Sequence, residues 1–296
     1  MDSPKILSLG QDWLFKYVFG NANNQDILRD FLMTILRIPR EEFKQLTYTN
    51  TDLLRTSEDD KLGILDVRVE TASGHDIDIE IQFADMEGMR ERIVYYASKM
   101  LSSRMRSGYE YGSLKKTIVI VIAHFDWFKA EKNYFHRFVL RDEDTGYVFS
   151  DIIEVNTLEL PKIPDVPEQA GDHGLWNWAA LLAARKEEEF DMLAERSPEM
   201  GKVVGLLKEL SMDEQVQMMY EAREKARRDH EARIRFAENE GMARGEARGE
   251  ARGIIRGAER NKREMARTML NDRMSIDLVA KYSGLSLADI QALQQQ

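Results

Sequence analysis

The sequence has no cysteine among its 296 residues. This absence excludes disulfide bonds, thiolate zinc sites and a cysteine nucleophile. Long apolar runs are missing as well, since no stretch approaches the ~18 residues that a membrane-spanning helix needs. The N-terminus has neither the basic start nor the apolar core of a signal peptide. These features favour a cytoplasmic protein with no membrane partner.

The signatures of several hydrolase classes are also missing. The five histidines are scattered along the chain, and none of them forms the HExxH spacing of a zinc hydrolase. The sequence contains no GxSxG elbow and no phosphate-binding P-loop. It therefore gives no support to a histidine zinc site, a serine hydrolase or a P-loop enzyme.

The charge is unevenly distributed. The net charge of −10 argues against a nucleic-acid binder, but residues 221–296 carry 16 basic and 13 acidic side chains, a net charge of +3. Residues 90–116 carry seven basic and two acidic side chains. Local charge decides where a polyanion docks. These segments are either a docking strip for a polyanion or ordinary solvated helix faces.

The segment 64–83 alternates apolar and charged residues on both sides of a Ser73-Gly74 turn. Because side chains of a strand alternate between its two faces, this pattern predicts a β-hairpin. One face of the second strand is apolar, and the other carries the acids. The acidic face comprises Asp76, Asp78, Glu80 and Gln82.

A loop of about three residues that contains Gly74 would place Asp66 opposite Glu80 and Arg68 opposite Asp78. Opposed Cβ atoms lie about 4.5–5.5 Å apart, a distance at which two carboxylates can share one Mg²⁺ ion. A slip by two residues would instead place Asp66 opposite Gln82. The pattern is also typical of a solvated acidic strand face, so both interpretations stay open here.

The other elements predict an α/β fold with a mixed sheet flanked by helices. Helical structure is expected at 11–37, with an interruption at Asn21–Asn24, and at 86–107; a buried strand is expected at 117–123 and a second hairpin at 135–155. The Pro-rich stretch at 161–167 indicates a domain boundary, and helices are expected at 175–190, 199–210 and from 213 onward. The expected domains are 1–165, 166–235 (helical) and 236–296.

The C-terminal region contains a glycine repeat of period four, from Gly241 to Arg260. On an α-helix these glycines form a slowly winding stripe, and each one costs about 1 kcal/mol relative to alanine. The repeat therefore indicates a flexible or partner-stabilised helix more than a DNA-binding element. The final segment, 274–293, is typical of a helix–turn–helix, which occurs both in DNA-binding modules and in plain bundles.

Taken in order, several short motifs resemble the PD-(D/E)XK nuclease superfamily, and most closely its recombination-promoting nuclease/putative transposase branch. No single motif is specific, but their joint order is, and the resemblance covers nearly the whole chain. The matching pieces are Asp12-Trp13-Leu14-Phe15-Lys16 with Phe19-Gly20, Leu65-Asp66-Val67, Ile79-Glu80-Ile81-Gln82, Arg92 with Tyr95-Tyr96, Gly108 with Tyr111, the strand 117–123, Leu158-Glu159-Leu160-Pro161-Lys162 and the C-terminal tail.

The resemblance implies a restriction-endonuclease-like core that hydrolyses DNA with Mg²⁺, or with Mn²⁺ as an alternative ion. Asp66 and Glu80 correspond to the metal-binding acids, and Asp12 adds a further carboxylate. Gln82 stands where most of the superfamily has lysine, although this branch typically has glutamine. Leu65 replaces the proline of the superfamily's name.

The resemblance also implies DNA as partner, with phosphate contacts from the helix after the hairpin. The expected DNA-binding residues are Arg92, Tyr96, Lys99 and Arg106. Arg92 or Lys99 would supply the charge that Gln82 lacks. The expected function is a DNA endonuclease linked to recombination or transposition. The alternative is an inactive DNA-binding or homo-oligomeric protein, assembled through its C-terminal helices, with a vestigial nuclease fold.

Overall fold

A computed structural model of the chain describes residues 6–49, 52–53, 63–64, 67–105, 110–165 and 173–294. The described part forms two compact units, Met1–Arg223 and Glu224–Gln296. The predicted domain boundaries at 165 and 235 stay predictions.

The first unit is built on a mixed six-stranded sheet in the order β1-β4-β5-β6-β8-β7. Strands β5, β6 and β8 are parallel to one another, and the outer pairs are antiparallel. A separate two-stranded sheet pairs β2 with β3. The strands are β1 (Thr47–Tyr48), β2 (Asp52–Leu53), β3 (Gly63–Ile64), β4 (Val67–Glu70), β5 (Asp76–Gln82), β6 (Thr117–Ala123), β7 (Phe135–Arg141) and β8 (Val148–Glu159).

The helices of the first unit follow the predicted apolar periodicity. The first predicted helix is divided by a 3₁₀ turn, Ala22–Asn24, in which the Asn21 side chain accepts from the backbone N–H of Asn23. The helices are α1 (Asp12–Phe19), α2 (Gln25–Ile35), α3 (Met89–Ser103), α4 (His173–Ala183), α5 (Glu187–Ala194) and α6 (Pro198–Met212).

The helix expected at 175–190 was wrong as a single element, because the chain forms α4 and α5 there. The Glu189 carboxylate accepts from the backbone N–H groups of Arg185 and Lys186. A carboxylate that satisfies these N–H groups starts a new helix. The spacing of apolar residues reports only local periodicity, so it did not reveal this break between the helices.

The central strand β6, with the sequence TIVIVIA, is buried along its whole length, as predicted. Its even-numbered residues, such as Ile120, face the main core, which also contains Phe15, Phe31 and Trp178 from α1, α2 and α4. Its odd-numbered residues Val119 and Val121 face α3, which packs through Met89, Ile93 and Ala97. The sheet is therefore covered on both faces by helices.

The hairpin between β4 and β5 has the expected register. Val67 lies opposite Ile79, Arg68 opposite Asp78, and Glu70 opposite Asp76. The backbone N–H of Thr71 donates to His75 O at 3.0 Å, which leaves a three-residue loop. Gly74 ends this loop with φ +90°, a left-handed conformation that glycine adopts without strain.

The second unit consists of helices. Helix α7 (Glu214–Asn271) enters it from the first unit and includes all five repeat glycines. Ion pairs of i,i+4 spacing, such as Arg228–Glu224 at 3.3 Å and Arg260–Glu264 at 2.7 Å, support it. Helices α8 (Ile276–Ser283) and α9 (Leu287–Gln294) then pack on its end, so the predicted helical pair is confirmed.

Together these layers confirm the expected α/β fold, with a mixed sheet flanked by helices and an all-helical C-terminal region. None of the described helices combines the length and the apolar character that a membrane span requires.

Candidate active site

The acidic face of β5 is buried. The exposed fractions are 0% for Asp76, 1% for Asp78 and 5% for Glu80, whereas Gln82 is partly exposed. The alternative of a solvated strand face therefore does not describe this strand. Burying several carboxylates in one row costs free energy unless cations or hydrogen bonds compensate.

Arginines compensate the first carboxylate of the row. Arg68 on β4 makes a bidentate ion pair with Asp76. Its Nε donates to Oδ1 at 2.9 Å and its Nη2 donates to Oδ2 at 2.5 Å. Arg104, at the end of α3, adds a contact to Asp76 at 3.2 Å and binds Glu70 at 2.7 Å. The sequence pattern did not predict this cluster. Its one signal was the excess of arginine and lysine after the hairpin.

Arg104 connects α3 to the hairpin. Burial lowers the pKa of its guanidinium, but hydrogen bonding to Glu70 and the charge of Asp76 outweigh burial, so the pKa is raised. Arg104 also donates to the Gly74 carbonyl at 3.1 Å. The end of α3 is thus fixed beside the start of β5 and the hairpin loop.

The other end of the row carries the predicted catalytic pair. The amide Nε2 of Gln82 donates to Glu80 Oε2 at 3.0 Å. Both side chains lie on the α3 face, near the carboxyl end of β5. This hydrogen bond orients the Glu80 carboxylate at an edge where Gln82 is in part accessible to solvent.

Two predicted site residues, Asp66 and Arg106, lie outside the described residues. The last hairpin pair is Val67 with Ile79, and these residues are the chain neighbours of Asp66 and Glu80. The assignments of Asp66 as a metal ligand and of Arg106 as a DNA contact therefore remain predictions.

The three described DNA-contact candidates lie on one flank of α3. On the opposite flank, the Arg90 guanidinium lies 5.6 Å from the Trp127 ring and 5.4 Å from the Phe128 ring, beyond the end of β6. At about 3.6 residues per turn, the first flank lies on the side of the helix away from Arg90. It carries Arg92, Tyr96 and Lys99.

Of these three, Tyr96 is 8% exposed and lies beneath Arg92, whose guanidinium is 5.6 Å from its ring centroid. The tyrosine supports the arginine through a cation–π contact. A direct contact of Tyr96 with DNA stays a prediction, and so do the contacts of Arg92 and Lys99.

Asp12, the fourth predicted catalytic residue, begins α1 and is partly exposed. Its Oδ1 lies 3.0 Å from Lys16 Nζ. His124 connects this helix to the site, because its ring nitrogen bonds the Gly10 carbonyl at 2.6 Å and its backbone N–H donates to Gln82 O at 2.8 Å. Asp12 is therefore two residues along the chain from Gly10, which His124 connects to the sheet edge that carries Gln82.

A second buried carboxylate, Glu159, ends β8. Its Oε2 accepts from the backbone N–H groups of Trp127 at 2.7 Å and Phe128 at 3.1 Å, and Lys162 Nζ lies 2.9 Å away. The motif Leu158–Lys162, noted for its resemblance, therefore fixes the loop after β6. The sequence did not reveal this role, since the partners are distant in the chain.

The donor set of the site suits a hard divalent cation. Carboxylate and amide oxygens are the ligands that Mg²⁺ and Mn²⁺ take, and Glu80 and Gln82 offer them side by side. No group of three or more histidine, aspartate or glutamate side chains arranged for a metal occurs among the described residues, which do not include Asp66.

Residues 9–237 match the model of the PD-(D/E)XK nuclease family transposases. The chain belongs to this family. The match covers the sheet, α1 to α6 and the first part of α7. No curated protein matches the chain.

Membership in the PD-(D/E)XK nuclease family transposases supports a nuclease-related function and implies DNA as substrate. Nucleases of this superfamily typically use divalent metal ions. The resemblance inferred from the short motifs is thereby confirmed.

Proposed function

We propose that the protein is a metal-dependent DNA endonuclease that hydrolyses phosphodiester bonds in recombination or transposition. The observation that carries the proposal is the buried Glu80 carboxylate, which Gln82 orients near the carboxyl end of β5. Family membership supports the same chemistry.

Glu80 and Asp66 would hold the divalent ion. If the pairing continues by one position beyond Val67 and Ile79, their Cβ atoms lie about 4.5–5.5 Å apart. A bound ion supplies an activated water and neutralises charge on the scissile phosphate. Asp12 would contribute a further carboxylate from the start of α1.

Gln82 would orient both the acid and the water. Its amide nitrogen holds Glu80, and its amide oxygen can accept a hydrogen bond from the attacking water. Because glutamine carries no charge, we assign the positive charge near the phosphate to Lys99 and Arg92. These side chains, with Arg106, would hold the DNA backbone without reading its sequence.

Plasmid nicking tests this function. Supercoiled plasmid is incubated with wild-type protein in Mg²⁺, Mn²⁺, Ca²⁺ or EDTA. We expect nicking in Mg²⁺ or Mn²⁺ and none in EDTA. The variants Glu80→Gln and Asp66→Asn should lower the rate by about 100-fold or more, because each removes a charged ligand.

The matched control is Glu143→Gln, which makes the same change on the exposed β7–β8 turn and should leave nicking unchanged. Gln82→Ala should slow nicking, whereas Gln82→Lys should retain it. Nicking in EDTA, or full activity of both acid variants, would refute the proposed mechanism.

A second candidate function, assembly of several copies, is favoured by the surface of α7. This helix exposes large apolar side chains in its repeat and before it, with exposed fractions of 71% for Phe236, 67% for Ile254 and 60% for Ile255. We infer that copies pair through this surface. Such burial would also offset the glycine cost of the helix.

Sedimentation velocity tests the assembly role. Ile254→Glu with Ile255→Glu should convert an oligomer to monomer, while Glu246→Gln with Glu250→Gln should not. A wild-type protein that is monomeric at all concentrations would exclude the assembly role. It would leave the nuclease proposal unaffected.

A further inference from the structure

The second unit contains a groove of about 560 Å³ between the last third of α7 and α9. Four arginines of α7 line it, at spacings of four, three and four residues: Arg256, Arg260, Arg263 and Arg267. These spacings place all four on one helix face, spread over about 16 Å at 1.5 Å per residue. The guanidinium groups therefore converge on one concave surface.

The acids of the groove are in part engaged. Glu264 pairs with Arg260 at 2.7 Å, and the Asp289 carboxylate accepts from the Ser286 hydroxyl in the first turn of α9. Glu259 is the third acid of the lining. In the described part of the second unit, Arg256 and Arg263 have no ion pair. The groove thus has a surplus of positive charge directed at its interior.

The groove belongs to a folded element. Ala266 of α7, Val279 of α8 and Ile290 of α9 form a small buried core beside it. Gly284, with φ +66°, makes the tight turn that brings α9 back onto α7. The arginines therefore extend from a fixed backbone and pay less ordering entropy on binding than arginines of a flexible tail.

We propose that this groove binds the phosphodiester backbone of DNA. Guanidinium groups pair bidentately with phosphate oxygens, and a row of four suits a ligand with repeated negative charge better than a single anion. The lining has no aromatic side chain for base stacking. Binding is therefore independent of sequence and holds the substrate of the proposed nuclease, on whose function this inference rests.

Fluorescence anisotropy with a labelled random-sequence DNA duplex tests the groove. The protein carries Glu80→Gln, and EDTA is present, so that cleavage plays no part. We expect Arg256→Gln with Arg263→Gln to weaken binding about tenfold at low salt. The slope of log K against log salt should fall by about two, one for each lost phosphate contact.

Arg233→Gln with Arg235→Gln is the matched control, because both side chains are exposed on the same helix outside the groove. This control should bind like the parent protein, and Arg256→Lys with Arg263→Lys should retain most of the affinity. Circular dichroism checks that all variants keep their helices.

Unchanged affinity and unchanged salt slope of the Arg256→Gln, Arg263→Gln variant would overturn the proposal. If that variant changes sedimentation of the protein alone but not its DNA affinity, the groove is a protein contact and the proposal is wrong. Failure of the nuclease proposal has a different signature, since wild-type protein would then bind DNA through the groove without nicking it.

Discussion

Arg68 and Asp76 form a two-pronged ion pair across the β4–β5 hairpin, with Nε–Oδ1 and Nη2–Oδ2 distances of 2.9 Å and 2.5 Å. Asp76 is fully buried, so this pair is shielded from water. In the strand register, Arg68 lies opposite Asp78. Asp76 comes two residues before Asp78, so the ion pair joins the two strands diagonally. It therefore fixes the strand pairing on which the proposed metal site depends.

Arg68→Met should destabilise the protein by about 3–5 kcal/mol, because it leaves a buried carboxylate with one arginine in place of two. Urea unfolding of the variant and wild type measures the difference. Arg141→Met, a matched change at an exposed position of β7, should change stability by less than about 0.5 kcal/mol. Equal effects of the two changes would show that the buried pair contributes nothing.

Gly10→Ala should damage both stability and nicking. An added Cβ would collide with the carbonyl oxygen of Leu182 and lie 3.1 Å from the His124 ring, so α1 must shift at the sheet edge. We expect a loss of about 1–3 kcal/mol in urea unfolding. Gly245→Ala on α7 meets no atom within 4 Å and should gain up to about 1 kcal/mol of helix stability. A neutral Gly10→Ala would contradict the close approach.

Glu159→Gln should cost about 2–3 kcal/mol, since it removes the charge that Lys162 and two backbone N–H groups bind in a buried site. Thermal unfolding monitored by tryptophan fluorescence is suitable, because Trp127 lies in this contact. Glu131→Gln, on the exposed part of the same loop, serves as the control. No change in stability for Glu159→Gln would exclude a structural role for its charge.

His75 should make stability depend on pH. Burial lowers the pKa of its imidazole below the ordinary value of about 6.5, and the charges of Lys116 and Lys115 act in the same direction against the opposing charge of Glu42. Between the folded-state pKa and the ordinary value of about 6.5, the unfolded chain binds the proton more readily than the folded chain. The free energy of unfolding therefore falls as the pH drops through this interval, and it levels off below the folded-state pKa. Urea unfolding of wild type and His75→Gln at pH 8 and pH 5 tests this. The variant should lose less stability on acidification, and an equal loss would contradict the assignment.

Much of the hairpin was predictable. Alternation of Ile77, Ile79 and Ile81 with acids defined the faces, and the position of Gly74 defined a three-residue loop, because a left-handed residue closes such a turn. The helix break before α5 was not predictable from apolar spacing, because it depends on the Glu189 carboxylate capping a new helix start.

The candidate site was predictable only in part. The sequence indicated Glu80 and Gln82 as neighbours on one face, and the structure places them in hydrogen-bond contact. It did not indicate the pairing of Asp76 with Arg68 and Arg104, because those arginines come from two different elements. It also did not indicate that Gly10 would reach the site through His124, 114 residues away.

By itself, the sequence determined which side chains share a strand face and which segments form helices, because both follow from local periodicity and turn chemistry. Only the tertiary structure decided that the acidic face of β5 is buried, that Arg104 neutralises one end of it and that the arginines of α7 line a groove beside α9. The physical reason is that burial and charge pairing arise between elements distant in the chain, whose approach depends on the packing of the whole fold.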